Sequence, residues 1–195
     1  MASFVDEFMK SMGPEVSRQL STQLGINKKT AAQIIPQVAP LILGGLKRQK
    51  DERGGEPRVD HILNKYGDPC VLDHIGALFA DKARDENPDP RLGGLLGDSG
   101  IEAANMMSKQ YRMDQSTASR LIPMLAPIVL GFLTRKRDQG GAGSSGIASL
   151  LDHDGDGSVL DDVAGFLMQG MAGGGGRRQG NVLGSLIGGL FGKRR

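Results

Sequence analysis

The sequence predicts an all-α protein built from two tandem related helical modules, and three observations lead to that expectation. The first is an internal repeat: residues 21–54 align without a gap with residues 108–141 at a constant offset of 87. TAAQIIPQVAPLILGGLKRQKD stands over TASRLIPMLAPIVLGFLTRKRD, so that Thr30 and Thr117, Pro36 and Pro123, Pro40 and Pro127, and Gly44 and Gly131 coincide. With one extra residue in the second copy, HILNKYGDPCVLDHIGALFA (61–80) continues over SLLDHDGDGSVLDDVAGFLM (149–168). The second observation is a stripe: Phe4, Phe8, Met12, Val16, Leu20 and Leu24 recur every four residues, which is helical spacing. The third is composition. Aromatic residues make up 4% of the chain, Trp is absent and Gly numbers 30, so a core must come from Leu, Ile, Val, Met and Ala packed closely between helices. No period-two alternation persists, which leaves no candidate strand.

Taken in order, the first helix has Ser3 as its N-cap and restarts at Gly13-Pro14. Asn27 and its counterpart Asp114 are expected to cap the next helix of each copy. The prolines at 36 and 40, and at 123 and 127, each remove a backbone donor and should kink or restart that helix. Turn-rich composition marks ENPDPRLGGLLGDSG (86–100) and QGGAGSSG (139–146) as linkers and GMAGGGGRRQGN (170–181) as a flexible tether. The expected organisation is a module at 1–85, a linker at 86–100, a second module at 101–169, the tether, and a short apolar and basic tail at 182–195.

Charge and cysteine content bound the function. Twenty-four basic against 22 acidic residues give a formal charge of +2, so any case for nucleic acid has to come from local clusters. A lone Cys70 and an N-terminus without a basic start and apolar run point to a reducing, bacterial-type cytoplasm. The longest apolar runs, IIPQVAPLILGGL and LIPMLAPIVLGFL, are 13 residues with two prolines each, which reads as core rather than as a bilayer span.

The acidic stretch LLDHDGDGSVLDD is the strongest candidate site. A calcium loop needs oxygen ligands at positions 1, 3 and 5, Gly at 6 and an acidic residue at 12. Asp152, Asp154, Asp156 and Gly157 meet the first four requirements, with Ser158, Asp161 and Asp162 nearby, but position 12 is Val163. The competing reading is a cap: Ser158 and Asp161 form a capping box, and Asp162 meets the positive end of the next helix. In the first copy Gly67, Asp68 and Asp73 stand for Gly155, Asp156 and Asp161, whereas Asn64 and Tyr66 replace Asp152 and Asp154. Those two extra carboxylates carry the expectation of a calcium ion, bound at the weak end of the range for want of the last ligand.

Other candidates follow. The segment LSTQLGINKKTAAQII (20–35) has a helix-turn-helix look, with Gly25 in the turn and Lys28, Lys29, Thr30 and Gln33 as a reading face. Basic clusters end the proline helices, Lys47 and Arg48 in one copy and Arg135, Lys136 and Arg137 in the other, where they also complement the helix dipole. Cys70, Asp73 and His74 lack the oxyanion loop and partner that nucleophilic catalysis needs, which sets an enzyme aside. The tail spaces Gly184, Gly188 and Gly192 four apart, a face suited to self-association or docking, with surface contact to an anionic membrane through its basic end as the other option.

MASFVDEFMKSMG, LGIN followed by the IIPQVAPLILGGL run, and LLDHDGDGSVLDDVAGFL before a Gly-rich tract together resemble the YidB-like bacterial family, domain of unknown function 937. The resemblance implies a homeodomain-like helical fold and a bacterial source, and it brings no activity or catalytic residue with it. The sequence therefore points to a non-enzymatic interaction or assembly protein that associates with itself or another protein and binds calcium weakly. The alternative is a DNA-associated protein using residues 20–35 and the basic clusters. No small-molecule substrate is evident.

Overall fold

The computed structural model describes residues 4–140, and among these the chain is all-helical, with seven α-helices and no strand. Helix α1 (Phe4–Ser11) and α2 (Gly13–Leu24) meet at Met12, and Pro14 sits at the start of α2, where a missing N–H removes no helical bond. The four-residue stripe faces the core as expected: Phe4, Phe8, Val16 and Leu20 are buried, while Met12 and Leu24 pack at its margin. Gly25 ends α2 at φ 66°, a left-handed conformation that costs glycine little. Asn27 then accepts from the Lys29 N–H at 2.8 Å and opens α3 (Lys28–Arg53).

Helices α3 and α7 (Gln115–Gly140) are each 26 residues long and run unbroken through their prolines, so the expected restart does not occur. Each proline leaves the carbonyl four residues earlier without its helical partner. All four rings are half-buried, at the edge of the packed face, and the buried residues before and after each proline hold both halves of the helix to one core. Helix α7 also exceeds the 13-residue run read from the sequence: by length and composition it could cross a bilayer, at a mean hydropathy of 1.5. Within the fold, 72% of that stretch is buried, so its apolar surface already has protein against it.

Between these long helices lie α4 (Gly55–Tyr66), a 3-10 turn (Pro69–Leu72) and α5 (Ile75–Ala83). The turn packs on α7 opposite Gly131, where a Cβ would stand 2.8 Å from the Asp68 carbonyl oxygen and 3.1 Å from Val71 Cγ2. Backbone meets backbone there because the helix carries no side chain. The segment read as the 86–100 linker differs from expectation. Turn chemistry holds at Asp89, which accepts from the Arg91 and Gly93 N–H groups, but Leu95 and Leu96 are 8% and 2% exposed. Helix α6 (Asp98–Tyr111) starts inside the same segment. Glycines around the two leucines give the segment its turn-like reading, with four Gly in the eight residues 93–100. One continuous core includes Ile34, Ile35 and Ile42 of α3 with Leu121, Ile122 and Leu125 of α7.

Candidate functional site

The first-repeat helix α1 reaches the second-repeat helix α7 through three rings. Phe8 meets Phe132 edge-on at 5.3 Å between centroids, Phe4 meets the same ring at 5.5 Å, and Phe4 and Phe8 stack at 6.2 Å. In return, residues 94–96, ahead of α6, lie on α3. Gly45 leaves room for Leu95 and Leu96, since a Cβ there would be 2.9 Å from the Leu95 carbonyl oxygen. The Arg48 guanidinium donates to the Leu95 and Leu96 carbonyls at 3.0 and 2.8 Å, and the Gln49 amide reaches the Gly94 carbonyl at 3.5 Å.

By the offset of 87, Phe8 corresponds to Leu95, Phe132 to Gly45, Glu7 to Gly94 and Lys136 to Gln49. Lys136 donates to the Glu7 carboxylate, so corresponding residues make corresponding contacts. Size is exchanged across the seam: two rings face a ring on one side, and two leucines face a glycine on the other. A further link joins the repeats where the Gln37 amide donates to the Tyr111 hydroxyl at 2.5 Å. Burial is the main reason that the Tyr111 phenol is raised above its usual pKa.

The acidic-loop residues Asp152, Asp154, Asp156, Ser158, Asp161 and Asp162 lie outside the described residues, as does the tail. Their first-repeat counterparts can be followed. Asp68 accepts from the Cys70 N–H at 2.9 Å and caps the 3-10 turn, in line with its reading as a turn residue. Asp73 forms no side-chain cap among the described residues, because α5 begins after His74 rather than directly after the turn. Asp68 holds the exposed Cys70 thiol above its usual pKa, by a hydrogen bond first and by charge second, which keeps it in the unreactive protonated form.

The cations divide by location. Lys28, Lys29 and Gln33 are exposed on the first turns of α3, and Thr30 is half-buried there. Lys47 pairs with Asp51 at 2.8 Å, and Arg48 is committed to the seam. Arg135 lies over the Phe132 ring at 5.6 Å. Arg137 donates to Asp60 at 3.2 Å and to Asn64 and Asp138 at 2.9 Å. Sequence reasoning reads one basic cluster at the end of each proline helix and misses Gln49, which is 4% exposed. A signal existed, for Gln49 continues the buried spacing of Ile42 and Leu46.

Asp114 accepts from Ser116 Oγ at 2.6 Å, Thr117 N at 2.8 Å and Thr117 Oγ1 at 2.6 Å, bonds that hold its carboxyl far below the ordinary range. A lowered carboxyl pKa stabilises the fold above the unfolded value, and the contribution is lost as pH falls through the folded one. Asp114→Ala is therefore expected to lower the melting temperature at neutral pH. The gap to the parent should be full above the usual carboxylate range and narrow progressively as pH falls from the unfolded value toward the folded one, which melts followed by circular dichroism across an acid series would check.

Beside the seam a cleft of about 380 Å³ opens between the end of α3, α4, the 92–95 turn and the proline face of α7. No linear motif announces it, since its walls come from separated elements, with Lys82 of α5 and the 85–89 turn completing the rim. A family model described as bacterial protein of unknown function (DUF937) matches residues 6–137. The chain belongs to this family. The DUF937 match spans both sides of the seam, from Glu7 and Phe8 to Phe132 and Lys136, and agrees with the resemblance drawn from the sequence. It stops short of the acidic loop. Comparison with curated proteins and with solved structures finds no match.

Proposed function

We propose that this DUF937 protein is a non-enzymatic interaction and assembly protein, made of two tandem homeodomain-like modules and working in a bacterial cytoplasm. The reciprocal seam supports this reading. Each proline helix is completed by the first segment of the other repeat, with Phe8 on Phe132 and Leu95 on Gly45. A module whose surface is finished by a copy of itself is suited to association, and an aromatic cluster with a charged rim is the usual anatomy of such a contact. The nucleic-acid alternative has fewer cations at its disposal, because Arg48 and Arg137 already bond to the protein's own carbonyls and side chains.

The same proposal gives the acidic loop a regulatory ion. Asp152, Asp154 and Asp156 would supply calcium ligands, with Ser158, Asp161 and Asp162 beside them and a Kd on the order of 10⁻⁴ to 10⁻³ M. The tail from 182 to 195, with its glycine spacing, would extend association to a second chain or another protein. Sedimentation velocity tests the whole reading in one series. The full chain should sediment above monomer mass, a chain stopped after Gly180 should fall back toward it, and calcium should shift the parent but not an Asp152→Asn, Asp154→Asn variant. A monomer under every condition would sink the assembly reading, and identical calcium responses would sink the ion.

A further inference from the structure

We propose that the cleft beside the seam binds a single-chain anionic amphiphile, a linear medium-chain carboxylate, with its head at Arg53 and Arg58 and its chain along the proline face of α7. This inference does not rest on the assembly reading. Helix α4 contributes Arg58, Ile62 and Tyr66 to the lining, spaced four residues apart and so aligned on one face. Eight residues of helix give that stripe a length of about 12 Å, charged at one end and apolar beyond it. Facing it, α7 presents Pro123, Ala126, Pro127 and Leu130, a surface with no charge. At about 380 Å³ the cleft falls within the 300–1,000 Å³ that small-ligand sites occupy.

The charges of the rim are unequal in availability. Asp85 accepts from the Asn87 N–H at 3.0 Å, and Asp89 accepts from Arg91 and Gly93, so both carboxylates are engaged by their own turns. Arg53 and Lys82 make no ion pair or side-chain hydrogen bond among the described residues, and Arg58 uses only its Nε, on Gln49 at 3.2 Å. Arg53, Arg58 and Lys82 outnumber Asp85 and Asp89, so the rim is net positive, and its free cationic donors lie at the head of an apolar trough. An anionic head with a linear chain complements both parts at once, and the guanidinium fork suits a carboxylate.

Calorimetric titration of the full chain with decanoate, kept below its micellar concentration, tests this. One site per chain is expected, with affinity rising about fourfold per methylene from octanoate to decanoate. Decanol and decyltrimethylammonium should bind about tenfold more weakly or worse, and Arg53→Glu should cost decanoate about tenfold or more. Tyr66→Ala should flatten the chain-length series, while Lys28→Glu, outside the cleft, should change neither. Arg53 and Tyr66 are exposed, and unchanged helical circular dichroism would show that their variants fold. Equal binding of the cationic amphiphile, an Arg53→Glu variant with parental affinity, or no heat with decanoate would each overturn the proposal. So would capture by phosphatidylglycerol vesicles that decanoate does not compete away, since that assigns the cations to a lipid surface.

Discussion

Phe8→Ala is expected to destabilise the protein by about 3–5 kcal/mol, the range for removing a buried aromatic ring. Phe8 is fully buried, and its ring packs against those of Phe4 and Phe132, which also touch each other. Truncation removes the buried apolar area and also leaves a cavity that two rigid rings cannot easily fill. For a chain of this size each kcal/mol corresponds to roughly 2–4 °C in Tm, so the melting temperature should drop by about 6–20 °C. Urea melts of parent and variant would measure it. Phe8→Leu, which keeps most of the volume, should recover the larger part, whereas a loss below about 1 kcal/mol for Phe8→Ala would mean that α1 contributes little to the core.

The second large effect is expected from the smallest possible change, Gly100→Ala. A Cβ at Gly100 would collide with the Pro90 carbonyl oxygen, stand 2.7 Å from the Pro90 carbonyl carbon and lie 3.2 Å from Leu96 Cβ. The obstacle is backbone, and the proline ring fixes its φ, so no side-chain rotation relieves the overlap. The 90–96 segment must then move away from α6, and with it the Leu95 and Leu96 carbonyls that Arg48 holds. A loss of about 3 kcal/mol is expected, at the upper end of the usual overpacking range, although alanine is ordinarily the better helix former. Ser99→Ala, one position away and half-buried, should stay within about 0.5 kcal/mol of the parent in the same denaturant series.

Much of the fold was legible where local chemistry and pattern agree. The four-residue stripe of Phe4, Phe8, Val16 and Leu20 and the caps at Asn27 and Asp114 depend on neighbours within a few residues, and they fold as read. The prolines do not restart their helices because propensity rules describe an isolated helix, whereas in α3 and α7 burial on both sides of each ring outweighs the lost bond. Leu95 and Leu96 lie in a segment that reads as a linker for the opposite reason. Their glycine neighbours signal a turn, and only α3, some 50 positions earlier in the chain, supplies the surface that buries them.

Sites followed the same division. Asp68 could be assigned to a turn from its own repeat, because the N–H it accepts from is two residues away. The cleft had no such signature: Arg53, Tyr66, Asp89 and Pro127 come from different elements, and their proximity is a property of tertiary packing alone. Lys136 and Arg137, read as surface cations, proved to have partners in α1 and α4 that only the fold could bring near.

The contact between Phe8 and Phe132 also sets an order of events during synthesis. The two rings are separated by 124 positions, and contacts so distant in sequence raise the entropic cost of closing the core and slow its formation. At about 5–20 residues per second, a ribosome needs roughly 6–25 seconds to advance from one ring to the other. During that interval Phe4 and Phe8 can already pack on α2 and α3, while the Phe132 ring that completes their cluster has not been made. Helix α1 thus keeps one part of its aromatic face, the part that meets Phe132, uncovered until α7 has been made.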